Sequence, residues 1–144
     1  MAARSADKWT TPGRPAPERP RAAALTRKSR RMVTHLVLFK LRPDLSSDTR
    51  EQLVSAFERA LRDIPGVRGG RVGRRVMVGA GYEARMPDAA DYMVLIEFDD
   101  ADGLTAYFHH QLHAELGPLF NDSHAGALMF DFETVGLESL RDLG

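Results

Sequence analysis

Three stretches of this chain are greasy on both of their faces, and that limits what the chain can fold into. MVTHLVLFKL (32–41), YMVLIEF (92–98) and ALMFDFETV (127–135) have the length and the β-branched and aromatic content of strands. In the first, Val33, His35, Val37, Phe39 and Leu41 share one face, and Thr34, Leu36, Leu38 and Lys40 the other. In the second, Tyr92, Val94, Ile96 and Phe98 oppose Met93, Leu95 and Glu97. An antiparallel strand with one wet face should instead alternate apolar and polar residues. Both faces of this sheet therefore need cover.

The rest of the chain supplies cover for one face only. DTREQLVSAFERALRDI (48–64) has Leu53, Phe57, Ala60, Leu61 and Ile64 at helical spacing. Asp48 and Glu51 form the expected N-terminal capping pair, and the Pro65–Gly66 dipeptide stops the helix. VRGGRVGRRVMV (67–78) predicts a strand whose glycines imply a bulge, and GAGYEARMPDAAD (79–91) a long loop. A helix begins in DDADGLTAYFHH, and a second, short one is expected from about 112 to 120, disturbed by Gly117 and Pro118. The order is β-α-β-β-α-β, an α+β, ferredoxin-like protomer with a four-stranded antiparallel sheet. Its helices cover one sheet face. A second copy of the chain, sheet against sheet, is the economical cover for the other, so an obligate homodimer is expected.

The 144 residues suffice for one domain and a tail. Residues 1–31 hold nine Lys/Arg and two Asp/Glu, and the remainder 11 against 18, so a zero net charge hides a basic tail on an acidic body. With four prolines and few large apolar side chains, residues 1–31 are expected to be disordered, with Met32 a candidate natural start. The body is expected to span 32–135, followed by a C-terminal tail, 136–144. No run of about 20 apolar residues exists to cross a membrane. The basic tail has no aromatics beyond Trp9 interleaved for nucleic acid, so neither partner is expected. The absence of cysteine excludes thiolate chemistry and suits a cytoplasmic location.

HLVLFKL, IPGV, YMVLIEF, YFHHQLH and FDF together resemble the stress-responsive A/B barrel domain (Dabb) family over about residues 32–135. The resemblance implies a dimeric α/β barrel in which the sheets of two ferredoxin-like protomers face one another. Most members have no assigned biochemical role, and one plant type is a polyketide cyclase that uses a Tyr and a His. By motif those positions are Tyr107 and His113, with His35 as the strand-one histidine. Where the cyclase carries a further histidine this chain has Val94, and where its motif has a proline this chain has Gln111.

The stretch AYFHHQLH (106–113) is the densest chemistry in the body. On a helix, Tyr107, His110 and His113 advance by about 60° per step along one edge, and His109 points away into solvent. Four readings fit. One is a polar seam satisfied by structural partners. Another is a small apolar pocket lined by His35, Leu36, Leu38, Val94, Phe98, Leu104, His110 and Leu116, oriented by Tyr107 and His113. A third adds catalysis, with His113 as base and Tyr107 as donor to an enolate formed from a polyketide-like or aromatic carbonyl compound. The fourth is a metal ion on the pair His109 and His113, at i, i+4, or His110 and His113, at i, i+3, with a third ligand from elsewhere such as Glu115 or Asp131. The expectation taken forward is a binding module for a small apolar or aromatic ligand, without metal or cofactor. A cofactor-free cyclase is the enzymatic alternative, and a cofactor-independent monooxygenase a third, by fold analogy.

Overall fold

The computed structural model describes residues 30–144, so the basic tail lies outside the described residues except for Arg30 and Arg31. Strands β1 (Met32–Leu41), β2 (Val67–Arg74), β3 (Tyr92–Phe98) and β4 (His124–Thr134) form one antiparallel sheet in the order β2-β3-β1-β4. Helix α1 (Ser47–Asp63) connects β1 to β2, and helices α2 (Ala101–His109) and α3 (Gln111–Ser123) connect β3 to β4. The β-α-β-β-α-β order stands, with the second helical arm broken in two.

Local chemistry explains most boundaries, and some differ from expectation. Ser46, not Asp48, caps α1: its hydroxyl accepts from the Thr49 amide at 3.1 Å, leaving Asp48 to favour the first turn by charge. Gly66, at φ 93°, takes the left-handed turn after the helix. The β2 register shifts between Val67 and Gly69, the bulge implied by the glycines. β2 ends at Arg74, opposite Tyr92 at the start of β3, rather than at 78; Arg75 N–H still donates to Asp91 O at 2.7 Å just past the ladder's end. The released chain is held by Glu83, whose carboxylate accepts from the amides of Val78 and Gly79. Residues 136–144, expected as a tail, form 3₁₀ turns from Leu137 to Leu143 with Ser139 buried.

One sheet face carries the core. Val37 and Phe39 of β1 and Val94, Ile96 and Phe98 of β3 meet Leu53, Ala56 and Ala60 of α1, Leu104 and Tyr107 of α2, and Leu116 and Phe120 of α3. Residues directly opposite on antiparallel strands share a face. The register pairs Leu36 with Leu95 and Phe130, and Leu38 with Met93 and Leu128. These side chains, with Phe132, make up the second face. Leu128, Phe130 and Phe132 are nearly half exposed, the apolar surface anticipated from the two-sided strands. No helix of the described residues is long and apolar enough to cross a membrane.

Candidate functional site

His110 creates the site by breaking a helix. Its backbone is extended (φ −73°, ψ 144°), its N–H donates to Tyr107 O to close α2, and its Nδ1 accepts from the Leu112 amide to open α3. α2 and α3 therefore diverge over the sheet instead of continuing as one rod. α3 then runs through Gly117 and Pro118 to Ser123, further than expected.

Beneath that break lies an apolar cavity of about 200 Å³. His35 and Val37 of β1, Ile96 of β3 and Met129 of β4 form its floor. Phe57, Tyr107, Phe108, His113, Leu116, Gly117, Phe120 and Asn121 supply the walls. Of the residues expected to line a pocket, Tyr107, His113, His35 and Leu116 come together here. Leu36 and Leu38 do not, and this is a correction: strand alternation sends them to the opposite sheet face from His35. Val94, Phe98 and Leu104 are buried in the closed core rather than at the cavity surface, and His110 is occupied as a cap. Among the described residues no group of three His, Asp or Glu side chains is arranged to hold a metal ion.

Two features of the site were missed in the sequence. One is the aromatic wall of Phe57, Phe108 and Phe120. The other is the pairing of Asp131, read from the sequence only as a possible metal ligand, with His35: the two sit directly opposite in the β1–β4 register, with His35 Nδ1 2.7 Å from Asp131 Oδ1. A carboxylate only accepts, so His35 Nδ1 carries the proton and donates. The period-two pattern puts Asp131 on one face of its strand, but only the register across 96 positions of chain makes it the partner of His35.

Tyr107 is 2% exposed, with its ring 4.9 Å from His113, 5.3 Å from Phe98 and 6.2 Å from His35 between centroids. Its hydroxyl has no hydrogen-bond partner among the described residues. Burial pushes the phenol pKa up to about 12, so it remains a proton donor at neutral pH. Burial, reinforced by the neighbouring His35, holds His113 below the usual histidine range, which favours its neutral form. The arrangement can therefore donate one hydrogen bond from a phenol and accept others at imidazole nitrogens, inside an aromatic box.

A ferredoxin-like protomer with a Tyr/His-lined cavity under a broken helical arm defines the class of protein. The chain belongs to the stress responsive A/B barrel domain (Dabb) family, whose domain its residues 33–134 match. Among solved structures it is similar to a dimeric ferredoxin-like protein of unknown function from Thermobifida fusca, at 22% identity and TM-score 0.57 over 72% of this chain and 92% of that one. A Dabb family protein with a ferredoxin-like fold from Mesorhizobium loti is similar at 20% identity and TM-score 0.57, over 74% and 99%. A hydroxynitrile lyase from Passiflora edulis is similar at 13% identity and TM-score 0.62, over 73% and 94%. At these identities the likeness is one of fold. No curated protein matches the chain.

Proposed function

We propose that this Dabb protein is a cytoplasmic homodimeric barrel whose cavity binds a small aromatic compound carrying a carbonyl or hydroxyl oxygen. The observation that carries the reading is the Tyr107 hydroxyl, on a side chain 2% exposed and unbonded, at an apolar cavity. A hydroxyl that bonds no protein group at the wall of a cavity is free to donate to a ligand oxygen there. Phe57, Phe108 and Phe120 give such a ligand flat apolar walls, with His113 beside Tyr107 as the second orienting group. Self-association is supported by the apolar second face of the sheet and by the T. fusca neighbour, described as dimeric. The cytoplasmic location is supported by the cysteine-free composition.

The test uses acetophenone and 4-nitrophenol as probes, with backbone amide shifts of the full chain as readout. Binding should perturb residues of β1, α2 and α3 around the cavity. Tyr107→Phe should weaken it by about 0.5–1.5 kcal/mol, the net worth of one hydrogen bond. Its melting temperature should stay near that of the wild type, since the hydroxyl supports nothing in the protomer. Binding unaffected by Tyr107→Phe, or shifts confined to other surfaces, would refute the assignment.

A further inference from the structure

His35 is the imidazole in the cavity with a counter-charge. Its side chain is 7% exposed, and its Nδ1–H donates to Asp131, itself 48% exposed at the sheet edge. That hydrogen bond leaves Nε2 as the lone-pair nitrogen, with no protein partner among the described residues. The groups facing the ring are Asp131 from β4, Tyr107 and Phe108 from α2, and His113 from α3; its β3 neighbour is the apolar Ile96. Asp131 is the one anion among them. His113 has no carboxylate within salt-bridge distance among the described residues, and both burial and His35 disfavour a proton there. Two imidazoles border one cavity, and only one has charge compensation for a transferred proton.

We propose that His35, oriented by Asp131, is the proton acceptor of this cavity, and that the ligand is an acidic hydroxyl compound, a phenol or the enol of a dicarbonyl. The inference rests on the cavity-binding reading and assigns the base to a residue other than His113. In the step, the ligand O–H bond breaks heterolytically and its proton goes to His35 Nε2. The electron pair stays on the ligand oxygen, which accepts the hydrogen bond that Tyr107 donates. A 1,3-dicarbonyl loses a proton from its central carbon by the same transfer, leaving an enolate on the same phenol donor. No oxidant, reductant or metal enters. The imidazolium is then stabilised by a carboxylate that reaches water on its far side, a route for the proton to leave.

4-Nitrophenol reads this directly, because its phenolate absorbs visible light and the neutral phenol does not. It is titrated into the full-length protein at a pH just below its own pKa, with amide shifts reporting occupancy separately. The wild type is expected to hold it as phenolate, and imidazole ¹⁵N shifts to show both nitrogens of His35 protonated in the complex. Asp131→Asn should lower the ratio of bound phenolate to bound phenol by roughly tenfold, as when a charge-assisted hydrogen bond is lost. His35→Gln should leave the probe bound but neutral. A proton found on His113 in the wild-type complex overturns the assignment whether or not the variants fold. So does a probe bound as neutral phenol in the wild type, with the cavity reading left standing. If neither probe binds, the cavity reading and the dyad fall together.

Discussion

Phe130→Ala should weaken self-association by about three orders of magnitude, and the figure follows from the sheet register. Phe130 lies opposite Leu36 on the second sheet face, and is 46% exposed in the protomer. A phenylalanine side chain presents ~200 Å², so roughly 90 Å² leaves water if a second sheet docks there. At ~25 cal/mol per Å² that is ~2 kcal/mol, and a two-fold axis counts it twice, for ~4–5 kcal/mol. Each ~1.4 kcal/mol is a factor of ten in Kd, which gives the three decades. The ring also packs 6.0 Å from Phe132 within the protomer, so a modest fall in melting temperature accompanies the change. Phe130→Asp should dissociate the dimer outright, because a carboxylate there would enter an apolar interface unpaired. Sedimentation equilibrium over a concentration series measures the constant. A wild-type chain that stays monomeric and folded at micromolar concentration, or a Phe130→Ala dimer within tenfold of wild type, refutes the sheet-against-sheet arrangement.

Other consequences can be checked on the same protein. Ser46→Ala removes the acceptor of the Thr49 amide and should cost ~1 kcal/mol in urea unfolding, with the cavity unaltered. Leu116→Ala, at a wall residue 4% exposed, should cost ~2–3 kcal/mol and enlarge the cavity enough to admit a bulkier ketone, read by amide shifts. His113 is held below its ordinary 6.5, so the unfolded chain takes that proton more readily than the folded one. Its contribution to stability is therefore complete above about pH 6.5 and is lost as pH falls through the window beneath it. His113→Phe should flatten that acid limb of the unfolding curve, whereas parallel wild-type and variant limbs would show that burial of His113 carries no linkage.

The sequence carried the fold because the strands advertised it. Apolar residues on both faces of β1 and β3 dictated both the helical layer and the uncovered face, and the helix around Leu53 and Ala60 was plain from its spacing. Boundaries went astray where a partner decided them. β2 stops at Arg74, one residue short of a last backbone bond from Arg75 to Asp91, and Ser46 takes the cap because its backbone is extended and the helix starts at Ser47, which leaves Asp48 inside the first turn. The site was half legible. Tyr107 and His113 stood out at helical spacing, and His35 by sitting on a greasy strand. Leu36 and Leu38 cannot share a pocket with His35, because adjacent strand residues point to opposite faces, and strand alternation in the sequence already decides that. The aromatic wall was not legible: Phe57 reaches the cavity only through the packing of α1 against α3.

Asp131 has a second role to be weighed against the first. β4 is an edge strand, and apolar residues occupy both of its faces: Ala127 and Met129 inward, Leu128, Phe130 and Phe132 outward. Hydrophobic patterning therefore sets its register weakly, and a slip of one residue would exchange the two faces. Asp131 makes that slip costly, since it would turn a carboxylate into the apolar outer face and leave His35 opposite a phenylalanine. The 2.7 Å bond thus pins the strand as well as orienting the imidazole. The roles separate under Asp131→Asn. An asparagine oxygen still accepts from His35 Nδ1, so the register, the dimer and probe occupancy should survive. What goes is the negative charge, and with it the stabilisation of a proton on His35. A variant with intact strand pairing that still holds 4-nitrophenol as phenolate would reduce Asp131 to a register device.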